Sequence, residues 1–322
     1  AQRPRFFCGS PMHVLVLGSA AGGGFPQWNC NDETTRRLRA GDPRLLPRMQ
    51  SSLALSADGR RWVLLNASPD LRQQINERRQ LQPEPDAPKR SSPVAAVVLT
   101  NADVDHVAGL LVLRENHAFV IYAHRRMLDV LAENSIFNVL NRDRVARRDL
   151  PLDSASVLLD AAGESLGLQV TAFAVPGKAA LWREDDTQPS FGTHEGDTIG
   201  LAIRSAGDAR DALFYIPGCA AMTNELKARL QGAPLVLFDG TLWRDDEMIV
   251  QGVGVKTGLR MGHMSCSGAT GSMAAFEQID VRRKVFIHIN NTNPVLIADS
   301  PERVEAESRG WEIARDGMEI AL

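Results

Sequence analysis

The sequence predicts an α/β fold with a large share of β-sheet. Apolar runs rich in β-branched residues, such as residues 94–99, alternate with segments whose apolar residues follow helical spacing, such as residues 107–113. Several of these runs end in clusters of glycine and polar residues, and open α/β architectures hold their ligands at such strand ends. No internal repeat and no low-complexity block interrupts the pattern.

The composition is that of an ordinary globular protein, with 322 residues, 44% hydrophobic and 23% charged. We expect residues 1–11 to be a disordered or non-core extension and residues 12–322 to form a single domain. The formal net charge of −3 gives no overall basic field, so nucleic acid is not an expected partner. No apolar stretch reaches the about 18 residues of a membrane span, and the four scattered cysteines fit a cytoplasmic protein.

The first predicted strand, residues 13–17, leads into a glycine-rich loop at residues 18–24. A nucleotide-binding helix should not follow, because the glycines do not have G-x-G-x-x-G spacing and Phe25-Pro26 interrupts the segment. We therefore interpret the loop as backbone that approaches another group closely. Residues 31–50, rich in arginine and containing two prolines, predict a surface excursion of loop and short helix.

The Asp58-Gly59 dipeptide predicts a hairpin between strands at residues 51–56 and 61–65. After the hairpin, Ser68 and Pro69 have the residue types of an N-cap and a first helical position, which predicts that a helix begins there.

The rest of the chain alternates in the same way. Apolar runs predict strands at residues 94–99, 119–123, 157–159, 168–175, 198–203, 212–216, 234–238, 284–289, 311–314 and 318–322. Helical spacing continues from residue 107 and covers residues 127–139. A last helix should open at Ser300-Pro301 and close at Gly310.

The densest chemical signal directly follows the run at residues 94–99. Four residues here include Asp103, Asp105 and His106, between the end of a predicted buried strand and the start of a predicted helix. Capping of that helix would account for one carboxylate. Two carboxylates beside an imidazole fit part of a metal site better, although a capping role stays open.

This segment carries a resemblance to a known family. Thr-Asn-Ala-Asp-Val-Asp-His-Val-Ala-Gly at residues 100–109 resembles the metallo-β-lactamase superfamily signature Thr-His-x-His-x-Asp-His-x-x-Gly, with Asn101 and Asp103 replacing two histidines. Further motifs resemble the coenzyme PQQ biosynthesis protein B family: Gly-Gly-Gly-Phe-Pro-Gln-Trp-Asn-Cys, Asn-Ala-Ser-Pro-Asp, Tyr-Ile-Pro-Gly-Cys, Leu-Phe-Asp-Gly-Thr, Met-Gly-His and His-Ile-Asn-Asn-Thr-Asn-Pro. The resemblance implies an αββα sandwich, two mixed β-sheets flanked by helices, with metals at strand ends.

The resemblance also implies an incomplete metal centre. In hydrolytic members three histidines hold the first metal, and the matching positions here are Asn101, Asp103 and Lys178. That position should not hold a metal in the usual way, since an ammonium about 4 Å from a cation is repelled by about 4 kcal/mol at an effective dielectric near 20. The position that bridges two metals falls at Cys219.

The second-metal ligands are retained. They match Asp105, His106 and His288, and two imidazoles with one carboxylate form the facial triad of non-haem Fe(II) oxygenases. The resemblance thus implies one Fe(II), although zinc or another divalent metal could take its place. The remaining implied roles are catalytic for Asp103, His263 and Asp239, and substrate-binding for Lys178, Cys219 and Asn101.

Each of these residues could instead have a purely structural role. His106 and His288 could be hydrogen-bonded core histidines, and Asp105 a helix cap or a residue that orients His106. Asp103 stays open between a fourth ligand, a base behind the ligands and a cap. In the same way, His263 could be an exposed loop histidine, Asp239 a strand-end cap and Cys219 an inert buried thiol.

This sequence departs from the family that it resembles at a structural zinc site. Relatives carry further cysteines just after the equivalent of Cys30, whereas residues 31–35 contain none. We expect this zinc to be absent, or to use Asp32 or Glu33 with weaker affinity.

The implied function is biosynthesis of pyrroloquinoline quinone (PQQ). The first hypothesis is iron- and O2-dependent hydroxylation of the tyrosine ring of a Glu-Tyr unit derived from a precursor peptide. The second is a non-enzymatic carrier that delivers PQQ or its precursor for transport to the periplasm, and the third is a metal-dependent hydrolase. Homodimer formation and contacts with other PQQ biosynthesis proteins are open in the sequence.

Overall fold

The strands form two sheets of equal size. The computed structural model describes residues 12–185 and 187–322, so the predicted extension at residues 1–11 lies outside the described residues. The strands are, in chain order, β1 (His13–Gly18), β2 (Ser52–Ser56), β3 (Trp62–Leu65), β4 (Val94–Val98), β5 (Phe119–Ala123), β6 (Val145–Asp149), β7 (Ala155–Leu159), β8 (Ser165–Ala174), β9 (Ile199–Ser205), β10 (Leu213–Ile216), β11 (Val236–Asp239), β12 (Lys284–Ile287), β13 (Trp311–Ile313) and β14 (Glu319–Ala321).

Each sheet is mixed and has seven strands. The first has the order β14-β1-β2-β3-β4-β5-β6, and the second has the order β13-β12-β11-β10-β9-β8-β7. The consecutive strands β3, β4, β5 and β6 pair parallel with one another, and so do β10, β11, β12 and β13. All other neighbouring pairs are antiparallel. The carboxyl ends of β10, β11 and β12 therefore meet at one edge of the second sheet.

Helices cover the outer faces of the sheets. The α-helices are α1 (Glu33–Arg39), α2 (Leu71–Glu77), α3 (Val104–Val107), α4 (Arg125–Glu133), α5 (Asn224–Leu230), α6 (Glu247–Val250), α7 (Ser272–Phe276) and α8 (Pro301–Ser308). Helix α4 contacts β5 and β6, and α8 contacts β13. This arrangement is the predicted αββα sandwich.

The core is divided by the second sheet. Leu237 and Ile287 point into an apolar cluster that includes residues of both sheets. Phe238 and Phe286 point to the opposite face, where Phe286 stacks on Trp311 with ring centroids 3.9 Å apart. Alternate side chains are thus buried on both faces, which is why these strands are nearly continuous apolar runs in the sequence.

Three local features differ from the prediction. Helix α2 begins at Leu71 rather than after Ser68, and Asp70 stands at its N-cap without capping it, because its carboxylate accepts from the Gln50 backbone N–H at 2.8 Å. Strand β6 was not predicted, since Val-Ala-Arg-Arg-Asp is a charged edge strand. The helical segment predicted at residues 127–139 is α4 followed by a 3₁₀ turn, Ser135–Val139.

The hairpin and the last helix agree with the prediction. Strands β2 and β3 pair antiparallel across Asp58-Gly59, and the Ser300 side chain caps α8. Among the residues described, no helix combines the length and the apolar character that crossing a membrane requires.

Candidate metal centre

The predicted metal ligands converge from both sheets. Asp105 and His106 lie on α3, just beyond β4 of the first sheet, and His288 directly follows β12 of the second. Their ligand atoms all lie within 4.8 Å of one another. Asp105 Oδ2 is 3.1 Å from His288 Nε2 and 4.0 Å from His106 Nε2. We call these three residues the retained half of the centre.

His106 has the environment of a ligand. It is 1% exposed, and neither Nδ1 nor Nε2 has a hydrogen-bond partner in the part of the chain that the structure describes. Buried polar atoms are nearly always paired, so two orphaned ring nitrogens call for a further group. Burial lowers the pKa of His106 to about 4, which keeps the imidazole neutral and its lone pair available at neutral pH.

Asp105 and His288 stabilise opposite charges in each other. Burial tends to raise the pKa of Asp105, but His106 and His288 outweigh it and hold this pKa well below the usual range. Burial likewise opposes charge on His288, whereas its contact with Asp105 raises the pKa of the imidazole. The Asp105 carboxylate is therefore ionised and could bind a cation placed among these residues.

A second group shares His288. Asp239, His263 and His288 also bring ligand atoms within 4.8 Å of one another. Asp239, the last residue of β11, is fully buried, and its Oδ2 accepts from the Cys219 backbone N–H at 2.8 Å and lies 2.7 Å from His263 Nδ1. The His263 ring stacks on His288 with centroids 5.2 Å apart. Asp239 therefore orients His263, rather than only ending a strand.

Two glycines allow close approach around α3. A Cβ on Gly22 would lie 3.3 Å from Asp105 Oδ2, so the glycine-rich loop covers this carboxylate, as its sequence predicts for backbone near another group. The Ala21 N–H donates to the Ile289 carbonyl oxygen at 2.8 Å, and the Ile289 N–H donates to the Ser19 carbonyl oxygen at 2.9 Å, which ties the loop to the residue after His288. Gly109 is the glycine of the Asp-His-x-x-Gly motif, and any Cβ there would overlap the Ser68 carbonyl oxygen.

Asn101, Asp103 and Lys178, which we call the replaced half, are engaged with one another and with their neighbours. Lys178 Nζ lies 3.2 Å from Asp103 Oδ2 and 3.4 Å from Glu184 Oε1. Asp103 Oδ1 also accepts from the Leu181 backbone N–H at 2.9 Å. Asp103 occupies the N-cap position of α3 without a capping hydrogen bond. Its carboxylate therefore binds Lys178 instead of capping the helix.

The remaining predicted residues are held locally. Asn101 Oδ1 accepts from the Asp103 backbone N–H at 3.0 Å. Cys219 is fully buried, its Sγ lies 3.2 Å from the Ala221 carbonyl oxygen, and burial raises its pKa to about 12. These contacts favour the inert thiol over the predicted substrate contact. Near Cys30, the Asp32 carboxylate caps α1 and accepts from the Cys30 thiol at 2.8 Å.

Sequence reasoning missed three residues whose side chains contact the candidate centre or its surroundings. Thr241 lies between Asp239 and both histidines of the second group, and only its position two residues after Asp239 at a strand end hinted at this. Glu184 contacts three basic side chains but lies in a polar loop without any motif. Glu247 connects the segment after β11 to Thr292 and gave no signal either.

Comparisons with known proteins point to one family. A family model for the beta-lactamase superfamily domain matches residues 61–289. Coenzyme PQQ synthesis protein B of Gluconacetobacter diazotrophicus is 52% identical over 307 residues, covering 95% of this chain and 98% of that protein. The protein of the same description from Rhodopseudomonas palustris is 51% identical over 311 residues, covering 97% of this chain and 100% of that one.

A solved structure is similar throughout. The crystal structure of zinc-bound PqqB from Methylobacterium extorquens superposes with a TM-score of 0.89 at 50% identity and covers 96% of this chain and 100% of that one. The two-sheet fold implied by the sequence motifs is thereby confirmed.

Proposed function

This chain belongs to the coenzyme PQQ synthesis protein B family of the beta-lactamase superfamily, and on that premise we propose that it is an enzyme of PQQ biosynthesis. Its proposed reaction is hydroxylation of the tyrosine ring in a Glu-Tyr unit derived from a precursor peptide, with one Fe(II) and O2. The cytoplasmic location, homodimer formation and contacts with other PQQ biosynthesis proteins stay predictions.

The observation that carries the proposal is the contrast within the metal centre. Two imidazoles and one carboxylate lie together, and the His106 ring nitrogens have no hydrogen-bond partner among the described residues, whereas an ammonium lies in the replaced half. A two-metal hydrolase needs ligands for both ions. One metal on a two-histidine, one-carboxylate set, with positions left for other ligands, suits O2 chemistry. The solved relative is described as zinc-bound, and we propose that Fe(II) is the working metal here.

Asp105, His106 and His288 would hold the metal. Bound ferrous iron supplies the one-electron chemistry with O2 that ring hydroxylation requires. In the overall change one oxygen atom of O2 enters the ring as a hydroxyl group. The other becomes water with two electrons from an external reductant and two protons.

His263 is placed to move protons. Its Nδ1 faces the Asp239 carboxylate at 2.7 Å, so Nδ1 carries the hydrogen and Nε2 is left to accept or deliver a proton. Asp239 is a positioning residue in this proposal. Asp103, predicted as catalytic, is engaged by Lys178 and the Leu181 N–H, and we propose that it positions Lys178.

The replaced half suits an anionic substrate. Lys178, Lys256 and Arg260 all lie within 3.4 Å of Glu184, so three basic side chains gather at one place. Lys178 belongs both to this cluster and to the replaced half, where it contacts Asp103. We propose that a carboxylate of the Glu-Tyr unit pairs with the Lys178 ammonium, because a charged donor binds a carboxylate more strongly than a neutral one does.

The test is incorporation of labelled oxygen. The purified protein is incubated with Glu-Tyr dipeptide, Fe(II), ascorbate and ¹⁸O2, and the product is examined by mass spectrometry. We expect one labelled oxygen atom on the tyrosine ring, and none with His106→Ala or with zinc-loaded protein, since zinc has no redox chemistry. An iron-bound wild-type protein that adds no oxygen contradicts the proposal. Tight PQQ binding that survives alanine at His106 and His288 would instead favour the carrier hypothesis.

A further inference from the structure

The hydroxyl group of Thr241 lies at the junction of the two histidine groups. Its Oγ1 is 2.6 Å from Asp239 Oδ1, 2.9 Å from His288 Nδ1 and 2.9 Å from the His288 carbonyl oxygen. It is also 3.1 Å from His263 Nδ1. Thr241 is 4% exposed, so solvent does not compete for these contacts.

Counting hydrogens assigns the direction of each bond. A hydroxyl has one hydrogen to donate and two lone pairs. Two of its neighbours, the Asp239 carboxylate and the His288 carbonyl, can only accept, and the carboxylate is nearest at 2.6 Å. The Thr241 hydroxyl therefore donates its hydrogen to an acceptor oxygen, and His288 Nδ1, 2.9 Å away, must donate to the hydroxyl. His288 Nδ1 thus carries a hydrogen. In the metal-free protein Nε2 faces the Asp105 carboxylate at 3.1 Å, and with Nδ1 protonated the Nε2 atom is the one that can offer its lone pair to a metal bound there.

The same hydroxyl holds the backbone of His288. This residue has φ of 59°, in the left-handed region that few residues other than glycine adopt. Such a conformation persists only where its surroundings fix it. Thr241 contacts both the ring and the carbonyl oxygen of His288, and the Asn290 N–H donates to the Thr241 carbonyl at 3.0 Å. Thr241 thus fixes both the side chain and the backbone of the strained residue.

We infer that Thr241 is a positioning residue of the metal centre, which sets the Nδ1–H tautomer of His288 and aims its Nε2 at the metal beside Asp105. The inference rests on the proposed metal site, but not on the hydroxylation. Asp239 completes the chain of contacts, because its carboxylate accepts from Thr241 and fixes the direction of the hydroxyl.

The test compares Thr241→Val with Thr241→Ser, and zinc alone is the probe. Valine keeps the shape and removes the hydroxyl, whereas serine keeps the hydroxyl. We expect valine to weaken Zn²⁺ binding about 10- to 100-fold and serine to stay within about threefold of wild type. Tyr122→Phe is the control, since it also removes one buried hydroxyl group, and that hydroxyl contacts Leu159 and Arg148 rather than either ligand group.

Nitrogen-15 spectra of the histidines in metal-free protein supply the second measurement, at a pH where the ring is neutral. Wild type and Thr241→Ser should show His288 protonated at Nδ1, and Thr241→Val a shift toward the other tautomer. An unchanged His288 spectrum or an unchanged zinc affinity in folded Thr241→Val overturns the inference. If Thr241→Val changes both the His288 spectrum and the zinc affinity, while iron-bound wild type adds no oxygen to Glu-Tyr, the inference stands and the hydroxylase proposal is wrong.

Discussion

The two halves of the metal centre differ in how their polar groups are satisfied. In the replaced half, Lys178 pairs with Asp103 and Glu184, so each charge has a partner within the chain. In the retained half, His106 keeps two ring nitrogens without partners among the described residues. One half is complete as it stands, and the other is complete only with a ligand.

Under the proposed function, this difference between the halves accounts for one-metal rather than two-metal chemistry in this fold. In that proposal the Lys178 ammonium takes the place of the first metal and leaves a basic side chain beside the remaining site. The retained half is unaffected, because its ligands lie on α3 and after β12 rather than on the residues that changed.

The largest effect is expected from breaking the retained half. His106→Ala should weaken metal affinity by more than the about 10- to 100-fold that is typical of residues behind the ligands, since it removes one of three ligands. Calorimetric titration with Fe(II) or Zn²⁺ measures the change. His117→Ala is the control, because His117 stacks on Phe119 and belongs to neither ligand group. Equal affinities in the two variants would contradict the ligand assignment.

Rebuilding the replaced half should produce the next largest effect. Asn101→His, Asp103→His and Lys178→His together supply three imidazoles and remove the ammonium, so we expect the metal content to rise from one to two per chain. Elemental analysis of the zinc-loaded protein checks this. Lys178→Met alone removes the cation without adding ligands and should stay at one. If the triple variant also stays at one, missing ligands are not what excludes the second metal.

The smallest effect concerns two glutamates that sharpen the same contrast. Burial opposes ionisation of Glu184, but Arg260 and the two lysines lower its pKa. Glu247 has neutral partners instead, the Thr292 hydroxyl at 2.6 Å and the Trp243 N–H at 2.8 Å, and burial raises its pKa to about 7 from 4.5. The folded state thus favours protonated Glu247. Its contribution to stability is complete below pH 4.5 and is lost as the pH rises toward 7.

Glu247→Gln should remove this pH dependence. Relative to its value at low pH, the difference in free energy of unfolding between Glu247→Gln and wild type should grow by about 3 kcal/mol as the pH passes 7. Urea unfolding at several pH values measures it, and taking the difference cancels the titration of the metal ligands. Curves that run parallel across this range would show that Glu247 is not the group responsible.

Sequence patterns were informative where the signal is local. The apolar run before Asp103 identified the strand and the acidic and histidine side chains at its end, and the glycine-rich segment identified a loop that approaches Asp105 closely. The αββα arrangement came from the family motifs, because periodicity alone does not pair strands. The resemblance likewise supplied His288, which is 183 residues from its partner Asp105.

Further features depend on contacts that no local pattern encodes. Thr241 meets His288 across 47 residues, and Lys178 meets Asp103 across 75. Ser68 has the residue type of a helix cap, yet its carbonyl lies against Gly109, and the helix begins at Leu71. Tertiary packing overrode the local preference in that segment.

Strand β1 is covered on both sides by segments from distant parts of the chain. It pairs with β2 on one edge and with β14 on the other, where His13 lies opposite Ala321. Without β14, an apolar strand containing Val14 and Val16 would present an open row of backbone donors and acceptors. Such an edge recruits strands from other molecules. The short β14 covers this edge, so we expect a chain that lacks β14 to aggregate and to yield little folded, metal-binding protein.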